Sequence, residues 1–335
     1  MVTSKFLNPK NDVAFRKIFG TEKNKDILIH FINGILCLEG PSMIKEVSFL
    51  STVQDPEIAC KKESIVDVLC RNNYGREIIV EMQVTSQEGF EKRAQYYAAK
   101  AYSRQLNVGQ EVGARYQDLK AVIFIAITDY IVFPSKTDYL SNHIVLDAKT
   151  YAHDLQDFSF TFIELPKFKI NSIEALSTMI EKWCYFFKYA SSTSEAEVKK
   201  IIDSDLVIQR AYEALNRFNW SEIELRTYEK EIKRIMDNQA VEDYMKKQAR
   251  QAGEQVGLKQ GLEQGLEQGL EQGLKQGLEQ GLKRGLEQGK LEGKLEGEKG
   301  KALSIARGMH LKGYPLEDIM LLTGLSKEDI EKAKF

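Results

Sequence analysis

Cysteine and histidine are scarce in this chain, four of each in 335 residues. Cys37, Cys60, Cys70 and Cys184 lie far apart with no CxxC pair, which argues against a disulfide framework and against a thiolate zinc site. His30, His143, His153 and His310 form no HExxH motif and no close pair. A Walker A lysine and a nucleophile-elbow serine are also missing, and the glycines of a C-terminal repeat are no dinucleotide fingerprint, so no organic cofactor is expected. No apolar run approaches the roughly 18 residues of a spanning helix, and Met1-Val2-Thr3-Ser4-Lys5 leads into no signal-like region. The expectation is a cytoplasmic protein without membrane contact. Basic excess is absent too, since 47 Lys and Arg against 49 Asp and Glu leave a net charge of −2. That excludes a general nucleic-acid coat; DNA binding would need a local basic groove. The chemistry narrows to carboxylates with a metal, or to none.

Two short β-branched runs, Ser64–Cys70 and Glu77–Val84, flank the turn-rich stretch Arg71-Asn72-Asn73-Tyr74-Gly75 and predict a β-hairpin. With the loop centred near Tyr74, Asp67 falls opposite Glu81, because both are equally far from the turn. Cβ atoms of opposed residues lie roughly 4.5–5.5 Å apart, and like charges there repel. Alternation puts Ile79, Glu81 and Gln83 on one face, and Ile78, Val80, Met82 and Val84 on the other. Two carboxylates and an amide on apolar strands fit a cation such as Mg²⁺, which takes hard oxygen ligands and usually one or two carboxylates. They also fit a solvent-facing strand face where paired acids carry no function. Spacing does not decide between the two.

The segment Asn8-Pro9-Lys10-Asn11-Asp12-Val13-Ala14-Phe15-Arg16-Lys17-Ile18-Phe19-Gly20, followed by Asp67 and then Glu81-Met82-Gln83, resembles the Rpn family of recombination-promoting, YhgA-like nucleases. Members of that family are often described as PD-(D/E)XK nuclease family transposases. The resemblance covers about residues 5–300, and the Gly-rich tail is typical of the group. It implies an α/β fold of the restriction-endonuclease-like type, a mixed sheet flanked by helices, with Mg²⁺- or Mn²⁺-dependent cleavage of DNA linked to recombination or mobile elements. It implies Asp67 and Glu81 as metal-binding acids, the Met82 backbone carbonyl as an extra ligand, and Gln83 as the third catalytic position.

Where the wider superfamily carries Lys, this chain has Gln83, the variant found in the Rpn group. A Gln can orient water but brings no charge, so catalysis leans on the metal or on a cation from another element. The helix predicted for about Glu88 to Leu106 offers candidates. Phe90, Ala94, Tyr97, Ala98 and Ala101 form its apolar stripe; Arg93, Tyr96, Lys100 and Arg104 line a neighbouring one suited to phosphate contacts, or to ordinary solvation. Asp12 is the third acid that the resemblance brings forward, at the start of a helix expected to run to about Gly34. Asn11 or Asp12 fits an N-cap there, and Asp12 fits equally a place beside the metal.

Leu119–Ile127 reads as a buried central strand, with shorter strands expected at Glu46–Leu50, His143–Leu146 and Phe158–Leu165. Helices are expected at Ile173–Tyr189, Glu195–Phe218 and Glu222 to about Arg250, with Trp183 and Tyr185–Tyr189 on a core face and Trp220 marking a turn. The domain reading is a nuclease-like core over 1–170, a packed helical extension over 171–250, a repeat spacer over 251–300 and a three-helix module over 301–335.

In the spacer a glycine falls at every fourth position from Gly253 to Gly297, 12 in all, in units such as Gly-Leu-Glu-Gln. A four-residue repeat drifts about 40° per unit around a helix, so neither the Leu nor the Gly stripe stays on one side as a coiled-coil seam must. Twelve glycines cost on the order of 10 kcal/mol relative to alanine, so a helix here is marginal on its own. In the last module Thr323-Gly324-Leu325-Ser326 joins two short helices, with Ser326 as N-cap. The following Lys327-Glu328-Asp329 is mostly acidic, which suits protein binding or self-association better than DNA. The two functional readings are a Mg²⁺-dependent DNA endonuclease and a catalytically silent nuclease fold that binds DNA or protein through its tail. A degenerate transposase, cleaving without strand transfer, is a third.

Overall fold

The computed structural model describes residues 5–54, 64–106, 116–202 and 205–332. The chain divides into two compact units, Met1–Val241 and Glu242–Phe335. Cys60, and the last residues of the helix expected at Ser326–Lys334, lie outside the described residues.

The first unit opens with α1 (Asp12–Phe19) and α2 (Lys25–Ile35). One helix was expected here, and there are two. The Thr21 hydroxyl and the Asn24 amide donate to the Lys17 carbonyl at 3.1 and 2.8 Å, so side chains take the backbone acceptor that a continuing helix would have used. Next come β1 (Val47–Phe49), β2 (Val53–Gln54), β3 (Ser64–Ile65), β4 (Val68–Asn72) and β5 (Glu77–Gln83). After α3 (Phe90–Arg104) follow β6 (Val122–Thr128), β7 (Leu140–Ile144) and β8 (Phe158–Glu164). Among the described residues six strands form one mixed sheet in the order β1-β4-β5-β6-β8-β7, while β2 and β3 make a separate pair. Within the sheet β5, β6 and β8 run parallel, and the other pairings are antiparallel.

The hairpin has the expected register, with Val68 opposite Val80 and Leu69 opposite Ile79. Its turn is set by Asn72, whose side-chain oxygen accepts from Tyr74 and Arg76 N–H groups at 3.0 Å each. Gly75 supplies the left-handed backbone, φ +79°, that the turn requires. The first strand is interrupted, however: β3 pairs with β2, β4 with β5, and the chain bends at Val66 and Asp67 between them.

Helices cover both faces of the sheet. Ile78, Val80, Met82 and Ile125 pack against α1, α2, α4 (Met179–Tyr189) and α6 (Leu206–Leu215). Phe15, Phe19, Phe31, Trp183 and Phe187 are fully buried there, and each Phe contributes about 1.5–3 kcal/mol by leaving water. The expectation of a core face around Trp183 holds. On the opposite face Leu69, Ile79, Phe124 and Phe162 meet Phe90, Ala94, Ala98 and Ala101 of α3. The alternation along β5 is therefore as read from sequence.

Helix α4 starts later than expected, because Thr178 and Glu181 form a capping box at its N-terminus. The stretch Glu195–Phe218 holds α5 (Glu195–Ile202) and α6, the latter capped by Asp205, whose carboxylate accepts from Val207 and Ile208 N–H groups at 3.0 and 3.2 Å. Trp220 packs back on the unit and donates to the Ala214 carbonyl at 2.8 Å. Helix α7 (Glu222–Leu311) extends far beyond Arg250, through the whole glycine repeat. In the second unit the end of α7, α8 (Leu316–Thr323) and α9 (Lys327–Lys332) enclose a small core of Ala306, Ile319, Leu325 and Ile330. The first of the three helices expected there is the end of α7. Ser326 caps α9, its hydroxyl accepting the Asp329 N–H at 3.2 Å.

Candidate active site

The hairpin register, carried one step past Val68 and Val80, brings Asp67 to Glu81. Each acid then braces the other's strand. The Asp67 backbone N–H donates to Glu81 Oε2 at 3.1 Å, and the Met82 backbone N–H donates to Asp67 Oδ2 at 2.9 Å. That exchange explains the bend at Asp67, whose N–H goes to a side chain instead of a strand carbonyl. Only 8% of Asp67 and 6% of Glu81 is exposed, so the solvent-facing alternative is ruled out. Other buried acids on the sheet are matched by cations: Glu77 has Arg71 at 2.8 Å, and Glu164 has Lys167 at 2.6 Å. At Asp67 and Glu81 like meets like.

The charge is partly offset from the flanking helices. Arg16 of α1 donates to Asp67 Oδ1 through Nη2 at 3.0 Å and Nε at 3.3 Å. Arg93 of α3 lies with Nη2 4.0 Å from Glu81 Oε1. Burial first, and the Asp67 charge second, push Glu81 up to about 8 from 4.5. Asp12 is raised to about 6, by burial and then by Asp67 and Glu231, against the pull of Arg16 and Arg234.

Asn11, not Asp12, caps α1, accepting from Val13 and Ala14 N–H groups at 3.0 and 3.4 Å. The Asp12 carboxylate is left to face Arg234 at 3.6 Å. Among the described residues no three His, Cys, Asp or Glu side chains are grouped as a metal cluster, while the Asp67 charge acts on Asp12. Asp12 is thus an electrostatic neighbour of Asp67.

Gln83 ends β5, and both ends of its amide are engaged. Its Oε1 accepts from Arg93 Nη2, and its Nε2 donates to the Thr85 carbonyl at 3.2 Å. The Arg93 guanidinium also donates to Gln87 and lies 4.9 Å from the Phe90 ring and 5.8 Å from that of Tyr97. Tyr97, assigned to the core from sequence, is partly buried and sits within the field of Arg93, Glu81 and Asp67; burial raises its pKa. Tyr96 is 50% exposed on the outer side of α3. Lys100 and Arg104, both partly exposed, continue the Arg93–Tyr97 face along the helix.

Sequence reading missed Arg16, Lys10, Asp129, Glu231 and Arg234. Lys10 Nζ pairs with Asp129 Oδ2 at 2.7 Å, and the Asp129 N–H donates to the Gln83 carbonyl at 3.0 Å, tying the N-terminal segment to the end of β5. Arg16, four residues after Asp12 on one helical face, was the one readable signal among them. Gln83, Thr128 and Glu164 are in register at the carboxyl ends of β5, β6 and β8, the edge at which open α/β sheets bind ligands.

A family model described as PD-(D/E)XK nuclease family transposase matches residues 9–245. The chain belongs to that family. No curated protein and no solved structure gives a significant match. The mixed sheet flanked by helices is the restriction-endonuclease-like fold that the Rpn resemblance implied, and Rpn membership agrees with the match. As a PD-(D/E)XK nuclease family transposase, the protein carries a nuclease fold linked to mobile elements. Among the described residues no helix is long and apolar enough to cross a membrane.

Proposed function

We propose that this PD-(D/E)XK protein is a divalent-cation-dependent DNA endonuclease that hydrolyses phosphodiester bonds. One observation carries the reading: two carboxylates, both more than nine-tenths buried, face each other, and among the described residues no cation is closed on Glu81 at hydrogen-bond distance. Such a pair suits Mg²⁺ or Mn²⁺, which favour hard oxygen ligands and are satisfied by two carboxylates plus water. Asp67 and Glu81 would hold the ion, with the Met82 carbonyl as a further oxygen. When bound, it supplies Lewis acidity to the phosphate and the attacking water.

The chain's own contribution is preorganisation. Asp67 is fixed by the Met82 N–H and by Arg16, and Glu81 by the Asp67 N–H, so neither needs to reorganise when substrate arrives. Lys100 and Arg104, beyond Arg93 on α3, form a basic face for the DNA backbone, with Tyr96 exposed beside it. One observation favours the silent-module reading. Gln83 carries no charge, and both ends of its amide are occupied by protein groups.

Plasmid nicking by the purified protein with and without Mg²⁺, beside Asp67→Ala and Glu81→Ala, tests the proposal. Metal-dependent cleavage lost in both variants supports it. Cleavage that survives both substitutions places the chemistry elsewhere, and DNA binding without any cleavage leaves the silent module in front.

A further inference from the structure

Among the described residues, three cations of the segments near the acid pair, Lys10, Arg16 and Arg234, are each closed on a carboxylate. Lys10 is spent on Asp129 at 2.7 Å, Arg16 on Asp67 at 3.0 Å, and Arg234 on Glu231 through Nε at 3.0 Å. Arg93 differs. Its short contacts are to two neutral amide oxygens, those of Gln83 and Gln87, and Glu81 stays at 4.0 Å. Two aromatic rings, Phe90 and Tyr97, hold the guanidinium without neutralising it. Its Nε–H is buried and has no acceptor among the described residues. The side chain is nonetheless 28% exposed, with Nη2 4.0 Å from Glu81 Oε1.

Hydrolysis of a phosphodiester concentrates negative charge on the phosphoryl oxygens as it proceeds. Water adds to phosphorus while one ester P–O bond breaks; the water gives up its proton to solvent, and the departing oxygen takes one. A fixed cation with free N–H groups at that place stabilises the transition state, and a guanidinium fork matches two phosphoryl oxygens. Gln83 cannot supply this charge. Its amide is held between Arg93 and the Thr85 carbonyl, which leaves one N–H and one lone pair and fixes their direction.

We propose that Arg93 is the catalytic cation of this site and that Gln83 is its positioning residue, not an independent holder of water. The proposal rests on the nuclease reading above. The fold shows how the group is delivered: Ala94, Ala98 and Ala101 are fully buried against the sheet, so α3 lies close enough for Arg93 to reach the end of β5. Charge that a strand residue could have carried arrives instead from the helix that follows.

The experiment measures cleavage rate and, separately, DNA affinity by fluorescence anisotropy without divalent ion. Variants are Arg93→Ala, Arg93→Met, Gln83→Ala and the double Gln83→Ala/Arg93→Ala, with folding followed by circular dichroism. Arg93→Met retains the stem between Phe90 and Tyr97 and guards against misfolding in the alanine variant. Expected is a loss of kcat of about 100-fold in both Arg93 variants with DNA affinity unchanged, the usual size for removing one transition-state donor. Guanidinium ion at low millimolar concentration should restore part of the rate to Arg93→Ala but not to Arg93→Met, where the stem fills the space. The double variant should be no slower than Arg93→Ala, because Gln83 acts through Arg93. Losses that multiply in the double variant would return Gln83 to an independent role and overturn the assignment. So would an Arg93 variant that cleaves normally, or one whose DNA affinity falls in step with its rate. Wild-type protein that cleaves nothing would instead remove the nuclease reading itself, and this inference with it.

Discussion

The Asp67 backbone N–H donates to Glu81 Oε2 at 3.1 Å, while the Asp67 carboxylate accepts the N–H of the residue after Glu81 at 2.9 Å. Two like charges are thus locked together by the backbone they sit on. The repulsion is not relaxed by side-chain movement, because moving either carboxylate orphans a buried N–H. Two ways remain to lower the energy: protonation of Glu81, which its pKa of about 8 favours at neutral pH, or a compensating cation.

Glu81→Gln should therefore stabilise the protein at alkaline pH in the absence of divalent ions. Burial and Asp67 raise the Glu81 pKa from 4.5 to about 8, so ionising it costs the fold more than the unfolded chain. The sign follows: this cost is absent below about pH 4.5, grows as pH rises, and is fully present above about 8. Asp12, raised to about 6, adds to the same slope. Thermal melts from pH 5 to 9 should show the variant's Tm advantage growing across that window. Millimolar Mg²⁺ at pH 8 should raise the wild-type Tm and leave the variant's unchanged. An advantage that shrinks with pH would contradict the electrostatic account.

Arg16→Ala should weaken the metal-free protein and tighten its hold on Mg²⁺. Arg16 gives Asp67 two charge-assisted hydrogen bonds, but its side chain is half exposed, so the loss is about 1–2 kcal/mol in urea melts. The same substitution removes the cation that competes for Asp67. Titration calorimetry should show a lower Kd for Mg²⁺, and a higher one would mean that Arg16 orients Asp67 for the ion.

Legibility divides along physical lines. The opposition of Asp67 and Glu81 could be read because a turn centre and a period of two fix a hairpin's register within a few residues. Their burial could not, since α1 and α3 make it and no local pattern tells where distant helices dock. The surroundings of Asp12 were hidden for a similar reason. Asn11 takes the cap, and the first turn then aims Asp12 at Arg234, more than 200 residues away in sequence. Choosing between Tyr96 and Tyr97 turns on 100° of helical phase. Arg93 and Tyr97, four apart, share the face that meets the site, and Tyr96 falls outside it. The break between α1 and α2, at Thr21 to Asn24, depends on side chains competing for one carbonyl, which propensity does not foresee.

Ala98→Leu should damage the site without touching it. Ala98 is fully buried where α3 meets Ile79 and Phe124, so added methylenes must lift the helix or distort the sheet. Overpacking of this kind costs about 1–3 kcal/mol. Lifting α3 draws Arg93 away from Gln83, so cleavage should fall at temperatures where circular dichroism still reports a folded protein. Activity that tracks the folded fraction alone would show that the position of α3 does not matter.

The glycine repeat offers a test that separates a spacer from an assembly surface. In the structure an added Cβ at Gly261, Gly265, Gly269 or Gly273 meets nothing within 4 Å, and the repeat leucines from Leu258 to Leu286 are exposed. For a spacer, replacing those four glycines with alanine should stabilise the helix by about 0.8–1 kcal/mol at each position, because alanine surrenders less backbone entropy. Helical ellipticity should persist to higher temperature, while cleavage and oligomeric state by light scattering remain as in the wild type. If another copy packs against those glycines, the added methyl groups stand in the contact. The alanine variant would then lose mass in light scattering even as its isolated helix became stronger.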